Sequence, residues 1–257
     1  MLRPRVIPCL LIRDKGLVKT VKFKDPKYVG DPLNAVKIFN EKEVDELMVL
    51  DIDATSEGRE PNYEMIQKLA SECRMPFCYG GGITSAAQAS KIISRGVEKV
   101  ALSTAAILNP DLVREIADEI GSQSVVVVLD VKKKMFSSRY ELWINNGRKN
   151  TGLCAVEFAQ RLQQLGVGEI VVNAIDNDGV MKGYDLAIAD KIRAAVTVPL
   201  TIIGGAGSMN DIASLVGRFG IIGAGAGSLF VFKGTYKAVL INYPSLEERD
   251  RLVRRPA

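Results

Sequence analysis

The sequence predicts an α/β chain of the (β/α)8 TIM barrel class with a two-fold half-barrel repeat, and three observations carry that expectation. The two halves repeat one another about 125 residues apart. Leu50-Asp51-Ile52-Asp53, Tyr79-Gly80-Gly81-Gly82-Ile83 and Ala101-Leu102-Ser103-Thr104 are answered by Ala174-Ile175-Asp176-Asn177-Asp178-Gly179, Ile203-Gly204-Gly205-Ala206-Gly207 and Gly225-Ala226-Gly227-Ser228. Eight short runs rich in Val and Ile, at 5–11, 46–52, 76–80, 98–103, 124–130, 169–175, 199–204 and 221–226, alternate with helix-compatible segments. Finally, 257 residues with 47% apolar content suit one large core, so one domain over 1–257 is expected.

The runs are continuously apolar rather than alternating, which is what a parallel strand covered on both faces requires. Helix starts are signalled at Asp31-Pro32, at Glu60-Pro61, at Ser85 before 86–93, and at Asn109-Pro110 before 111–120, because proline at the first helical position is preorganised for helix entry. Two segments exceed an ordinary strand-to-helix loop. Residues 15–30 carry Lys15, Lys19, Lys22, Lys24 and Lys27 and read either as a lid or as a solvated basic loop. Residues 132–150 contain Tyr140, Trp143 and the turn dipeptide Asn146-Gly147, which predict a small β-hairpin over the barrel mouth. Residues 247–255 predict a terminal amphipathic helix covering the barrel around Leu246, Leu252 and Val253.

Composition excludes several functions. A net charge of +4 with interspersed signs and only 6% aromatic residues offers no nucleic-acid surface, and a small anionic substrate fits better. The chain has no histidine, which rules out Ser-His-Asp and Cys-His catalysis, and neither a metal nor a cofactor is expected. Proton transfer falls to carboxylates, lysines or tyrosines. Cys9, Cys73, Cys78 and Cys154 form no C-x-x-C pair and read as buried thiols of a reducing compartment. The apolar stretch 6–12 is too short for a signal sequence or a membrane span, so a cytoplasmic location without membrane contact is expected.

The glycine clusters suggest where chemistry sits. Gly81 and Gly82 after the third run, joined by Ser103 and Thr104 after the fourth, form one candidate phosphate cradle. Gly204 and Gly205, joined by Gly227 and Ser228 and by Asp178-Gly179 at the end of the sixth run, form the other. Close helix-strand packing also demands glycine, but two clusters at matching repeat positions favour a ligand with two phosphorylated ends. Asp130, ending the fifth run, is the natural acid or base; its competing reading is a helix cap or a partner of the lysines at 132–134.

Taken together, Arg5-Val6-Ile7-Pro8-Cys9-Leu10, Gly30-Asp31-Pro32, Gly80-Gly81-Gly82-Ile83, Asn150-Thr151-Gly152, Asp176-Asn177-Asp178-Gly179, Gly183-Tyr184-Asp185 and Gly204-Gly205-Ala206-Gly207 resemble the cyclase subunit of imidazole glycerol phosphate synthase over about residues 1–232. The resemblance implies a barrel that takes ammonia from a glutaminase docked at its base. At its top, the family reacts that ammonia with a bis-phosphorylated formimino ribonucleotide. Carried over residue by residue, Arg5, Glu46, Lys99 and Glu169 match an ammonia gate, with Glu98 at the partner contact, and Asp130 and Lys19 match catalytic positions.

Three positions depart from the pattern. The family's other catalytic aspartate falls on Leu11, Asn173 stands where threonine is usual, and Ile203 replaces a serine. General acid-base help is worth about 10²- to 10⁴-fold per group, so Leu11 is expected to reduce cyclisation. With Cys9-Leu10-Leu11 and the segment 16–24, the pattern looks closer to a divergent branch associated with amidation of bacterial surface-polysaccharide sugars such as those of O-antigen lipopolysaccharide. There, a separate sugar amidotransferase would receive the ammonia. An authentic histidine-pathway cyclase recruiting Asp176 or Asp178 is the alternative. A partner-free phosphosugar isomerase is a third, opposed by Leu11 and by the retained ring of charges.

Overall fold

Eight parallel strands close on themselves in the order in which the chain makes them, as the computed structural model, which describes residues 3–253, shows. Along the chain run β1 (Arg5–Arg13), β2 (Gly16–Val21), β3 (Lys24–Gly30), α1 (Pro32–Glu41), β4 (Leu47–Asp51), α2 (Tyr63–Glu72), β5 (Phe77–Gly80) and α3 (Ala86–Ile93). There follow β6 (Lys99–Leu102), α4 (Thr104–Leu108), α5 (Asp111–Ile120), β7 (Val125–Lys133), β8 (Tyr140–Ile144), β9 (Lys149–Cys154), α6 (Ala155–Gln164) and β10 (Glu169–Ala174). The remainder is α7 (Leu186–Ala195), β11 (Leu200–Ile203), α8 (Met209–Phe219), β12 (Gly223–Ala226), α9 (Ser228–Val231), β13 (Phe232–Lys233), β14 (Ala238–Val239) and α10 (Leu246–Val253).

The barrel is β1-β4-β5-β6-β7-β10-β11-β12, and β12 returns to β1 with Arg5 opposite Gly223. All eight expected strands are present, and so is the half-barrel repeat of strand, glycine turn and helix. Helix starts follow their side chains. The Asp31 carboxylate accepts from Asn34 N with Pro32 in the first turn, and Ser208 forms a capping box with Asp211. One start is corrected: α2 opens at Tyr63 rather than at Glu60-Pro61, because the short Asn62 side chain reaches Met65 N as a cap and leaves Pro61 outside.

Alternate residues on each barrel strand point inward or outward. Outward residues such as Val49, Tyr79, Val127, Val172 and Ile202 join the helices in the larger core. Inward residues Ile7, Cys9, Met48, Cys78, Ala101, Val126, Val128, Val171 and Ile203, with Leu50 packed beside them, fill the barrel itself. Strand β12 contributes almost no volume inside. A side chain on Gly223 would strike Thr201, one on Gly225 would strike Ile203 and Cys9, and one on Gly227 would strike Lys19.

The lysine-rich segment is a correction to the expected loop. Strands β2 and β3 form a hairpin that continues β1 beyond the barrel, with Leu11 opposite Val18, Ile12 opposite Leu17 and Arg13 opposite Gly16. Leu17, Val18 and Val29 are buried, which explains its order. Its turns were illegible because Asp14-Lys15 and Lys22-Phe23 adopt left-handed backbone without the usual Gly or Asn (φ of 47° and 66°, then 52° and 63°). The second insertion does form a hairpin, β8–β9, with β8 also antiparallel to β7, and Asn145, Asn146 and Gly147 make its left-handed turn.

Helix α10 lies at the C-terminal end, with Arg249 buried against Asp45 and Leu252 on the core; Leu246 is exposed, and Arg254 and Arg255 lie outside the described residues. No helix among the described residues is long and apolar enough to cross a membrane.

Adding one methyl where β12 is bare tests this packing. Gly225→Ala is expected to lower unfolding free energy by about 1–3 kcal/mol in urea titration, and Ile203→Ala in the same chain should recover part of the loss.

Candidate active site and axial charge ring

At the base of the barrel, four charges alternate in sign around the axis. Arg5 opens β1, Glu46 immediately precedes β4, Lys99 opens β6 and Glu169 opens β10, so a parallel barrel must deliver all four to one end. Each charge touches two of opposite sign. Arg5 donates to Glu46 and, at 2.7 Å, to Glu169; Lys99 Nζ lies 2.8 Å from Glu46 and 2.9 Å from Glu169. The Thr201 hydroxyl adds a bond of 2.6 Å to Glu169. Burial alone would push Glu169 up, but the Arg5 and Lys99 charges with Thr201 overcome it and hold it at about 2. Burial would lower Lys99, yet the facing carboxylates Glu169 and Glu46 leave it raised. Arg5, Lys99 and Glu169 are therefore held in their charged forms at neutral pH.

Above the ring lies the apolar inner wall, and above that a cavity of about 180 Å³ at the C-terminal ends of the strands. That end is where barrel loops assemble ligand sites. Asp130, at the rim end of β7, accepts from Ser103 Oγ at 3.2 Å and from Asn173 Nδ2 at 3.0 Å. Its carboxyl opens on the cavity but sits deep in the barrel, and burial, with a smaller push from Asp178, raises it to about 7 against the pull of those two donors. A carboxyl poised there can give or take a proton at neutral pH. Leu11, in the same wall, offers no exchangeable proton.

The first hairpin is docked over the second half of this mouth. Thr20 Oγ1 donates to Asp178 at 2.8 Å, Phe23 N reaches the same carboxylate at 3.4 Å, and Lys22 N donates to Asp178 O at 2.9 Å. Gly179 has φ of +67° and lies so close under Thr20 that no side chain fits. Lys19 is buried with its ammonium on Cys9 O, beside Gly227. Burial lowers the Lys19 pKa, opposed by Cys9 and Asp178.

The residues singled out from the sequence thus gather at two ends of one barrel. Gly81, Gly82, Ser103, Thr104, Asp178, Gly179, Gly204, Gly205, Gly227, Ser228, Lys19 and Asp130 all line the cavity. Several have partners inside the protein: Gly82 N donates to Thr55 at 3.2 Å, Thr104 Oγ1 accepts from Asn145 N at 3.2 Å, and Asp178 holds the hairpin. Sequence reasoning missed Arg13, paired with buried Asp53 at 2.8 Å, and Arg148, which lines the cavity just after the Asn146-Gly147 turn. The turn dipeptide was the available signal for Arg148; nothing in the sequence marked the Arg13–Asp53 pair.

Comparison with known proteins agrees with this geometry. Residues 5–237 match the family model described as "Histidine biosynthesis protein". The chain belongs to the HisF-type family of imidazole glycerol phosphate synthase cyclase subunits. It is 60% identical over 251 residues to a Vibrio vulnificus protein provisionally named imidazole glycerol phosphate synthase subunit hisF3, covering 98% of this chain and 96% of the relative. A Leptospira interrogans protein, provisionally named as the HisF subunit, is 54% identical, with 98% and 99% covered. The imidazole glycerol phosphate synthase subunit HisF of Lactococcus lactis subsp. cremoris is 42% identical over 212 residues, 82% of each chain.

Two measurements follow from this HisF-type site. The ring's stabilisation is present above the ordinary Glu value of 4.5 and below the ordinary Lys value of 10.5, and is lost as pH falls toward about 2 or rises past the raised Lys99 value. Glu169→Gln should therefore cost about 3–5 kcal/mol in denaturant unfolding, constant from about pH 5 to 9 and narrowing in more acid solution. Thr20→Val or Asp178→Asn should loosen the hairpin by about 1–2 kcal/mol, read as tryptic cleavage after Lys22 and Lys24 accelerated about 5- to 30-fold.

Proposed function

We propose that this chain is the barrel subunit of a glutamine-dependent complex that receives ammonia at its base and relays it, with its own cyclase chemistry reduced. A glutaminase docks beneath the ring of Arg5, Glu46, Lys99 and Glu169, with Glu98 beside the contact. Ammonia is small and neutral, and passes when the paired charges part. The inner wall above them, Ile7, Met48, Val126, Val171, Val128 and Ile203, favours the neutral solute over ammonium, because an apolar surround penalises the charged form.

The observation that carries this reading is the asymmetry between the two ends. The four-charge ring is complete below, while above it Leu11 and Ile203 extend the apolar wall to the mouth and put leucine where the family's second catalytic aspartate stands. The other carboxylates of the mouth are each engaged, Asp51 by the N–H groups of Asp53 and Ala54, Asp53 by Arg13 and Asp178 by Thr20. Such a barrel is better suited to passing ammonia on than to consuming it. The acceptor in this reading is a separate amidotransferase that modifies a bacterial surface-polysaccharide sugar, in the cytoplasm. The two glycine cradles and Arg148 give the mouth the chemistry to hold a phosphorylated small molecule while ammonia emerges.

A true cyclase of histidine biosynthesis is the second reading. It is favoured by Asp130, raised to about 7 and so suited to acid-base work, and by the likeness to the Lactococcus HisF subunit. Against it, Asp176 is exposed and outside the cavity wall, and the Asp178 carboxylate is engaged by Thr20 and Phe23, so neither stands in for an acid at position 11.

The test supplies the chain and its glutaminase with glutamine and the formimino ribonucleotide. Ammonia release with imidazole product formed about 10²- to 10⁴-fold more slowly than by a two-aspartate HisF is expected, with Leu11→Asp raising the product rate at least tenfold. Full-rate cyclisation by the unaltered chain would overturn the relay reading and leave the cyclase.

A further inference from the structure

Strand β7 does not stop at the rim of the barrel. Past Asp130 it runs on through Val131, Lys132 and Lys133, antiparallel to β8, and the two strands join in an exposed turn at 134–139. At about 3.3 Å per residue, that turn begins roughly 10–15 Å beyond Asp130 along the strand, on the mouth side. Its own bonds fix its shape: Lys134 N donates to Arg139 O at 2.9 Å, Ser137 N to Lys134 O at 3.2 Å and Arg139 N to Ser137 Oγ at 3.1 Å. At the tip, Met135 is 78% exposed and Phe136 fully so. Phe136 is also held in left-handed backbone, with φ of +56°, where glycine or asparagine would be less strained. Strain spent on displaying an aromatic ring to water has no return within this chain.

The flanks of the tip are basic. Lys132, Lys133, Lys134 and Arg139 lie between Val131 and Tyr140 with no carboxylate among them. Lys134 pairs with Glu141 at 3.2 Å, whereas Lys132 rests 4.2 Å over the Trp143 ring and keeps its charge. Arg139 donates to Gly152 O at 3.2 Å, beside the exposed Leu153 of β9. We propose that this turn is an anchor for an anionic bilayer surface, with Met135 and Phe136 entering the interface and Lys132, Lys133 and Arg139 facing the lipid phosphates. An apolar tip flanked by cations matches the layering of a membrane surface, where acyl chains lie beneath charged headgroups. The shape favours lipid over a protein partner, because a stable protein interface takes about 800 Å² and 20–30 residues a side, and two side chains on a convex tip supply far less. A bilayer needs no matching contour. The shortness of the apolar stretch 6–12 bears only on crossing or export, and a surface anchor requires neither. A single anchor of this kind holds weakly and reversibly, with the mouth side of the barrel turned toward the lipid.

The inference goes beyond the relay reading and does not depend on it, so its test uses neither glutaminase nor glutamine. The full chain is sedimented with vesicles of phosphatidylglycerol and phosphatidylcholine in equal parts and, in parallel, with vesicles of phosphatidylcholine alone. Each free cation is worth about fivefold at an anionic surface, so the mixed vesicles should bind about 100-fold more tightly, an advantage lost in 1 M salt, where the screening length is about 3 Å. Met135→Ser with Phe136→Ser should weaken binding to the mixed vesicles at least tenfold, and Lys133→Gln about fivefold. These side chains are exposed, so an unchanged thermal unfolding midpoint checks that the variants fold. Phe136→Trp should give a blue shift of emission on the mixed vesicles that the unaltered chain does not show, which separates insertion from adsorption by charge alone. Equal affinity for both vesicles, or affinity that survives the double serine variant, would overturn the anchor. Absence of vesicle binding would also overturn it, and would give the turn to an acidic protein partner instead.

Discussion

A closed barrel has to fill its own interior, and in this chain the eighth strand brings nothing to fill it with. Gly223, Gly225 and Gly227 face inward, and Thr201, Ile203, Cys9 and Lys19 occupy the space a side chain would need. That single shortage organises the axis from base to mouth. Thr201 at the bottom reaches Glu169 and completes the charge ring; Ile203 in the middle makes the wall apolar; Lys19 at the top lies down onto Cys9 O. Dense packing leaves no alternative, since a void of that size would forfeit the contacts that hold the strands.

Electrostatics then divides the molecule by height. At the base, opposite charges alternate, and the facing charges hold Glu169 and Lys99 in their ionised forms across the neutral range. At the mouth, a carboxyl without a cationic partner is pushed by burial into that same range and becomes responsive. Among the described residues, the inward layer between them carries the thiols of Cys9 and Cys78, which burial raises far from ionisation. A neutral solute meets charge only at the two ends.

The two half-barrels repeat in backbone but not in use. The first glycine cradle is braced by Thr55 and by the Asn145 turn, while the second is overlain by the β2–β3 hairpin through Asp178 and Gly179. The repeat gives two similar glycine turns at the mouth, and the segments after β1 and within β7–β9 make their surroundings different. The hairpin holds left-handed Lys22 and Phe23 without glycine, a conformation maintained because Asp178 binds the backbone of both.

The strand count, the repeat and the helix starts at Asp31 and Ser85 were legible from residue order alone, because hydrophobic period and capping residues are local signals. The hairpin at 16–30 was not, since its turns break the usual residue preferences and its order comes from burying Leu17, Val18 and Val29 on distant elements. Nor was the start of α2, where Asn62 outcompeted Glu60-Pro61 as a cap. Sequence by itself determined that Arg5, Glu46, Lys99 and Glu169 share one end, because each begins a parallel strand. Only tertiary structure decided that they alternate around the axis in mutual contact and that Asp178 serves the hairpin: those depend on which side chains meet across strands far apart in the chain, and no local pattern encodes a distance.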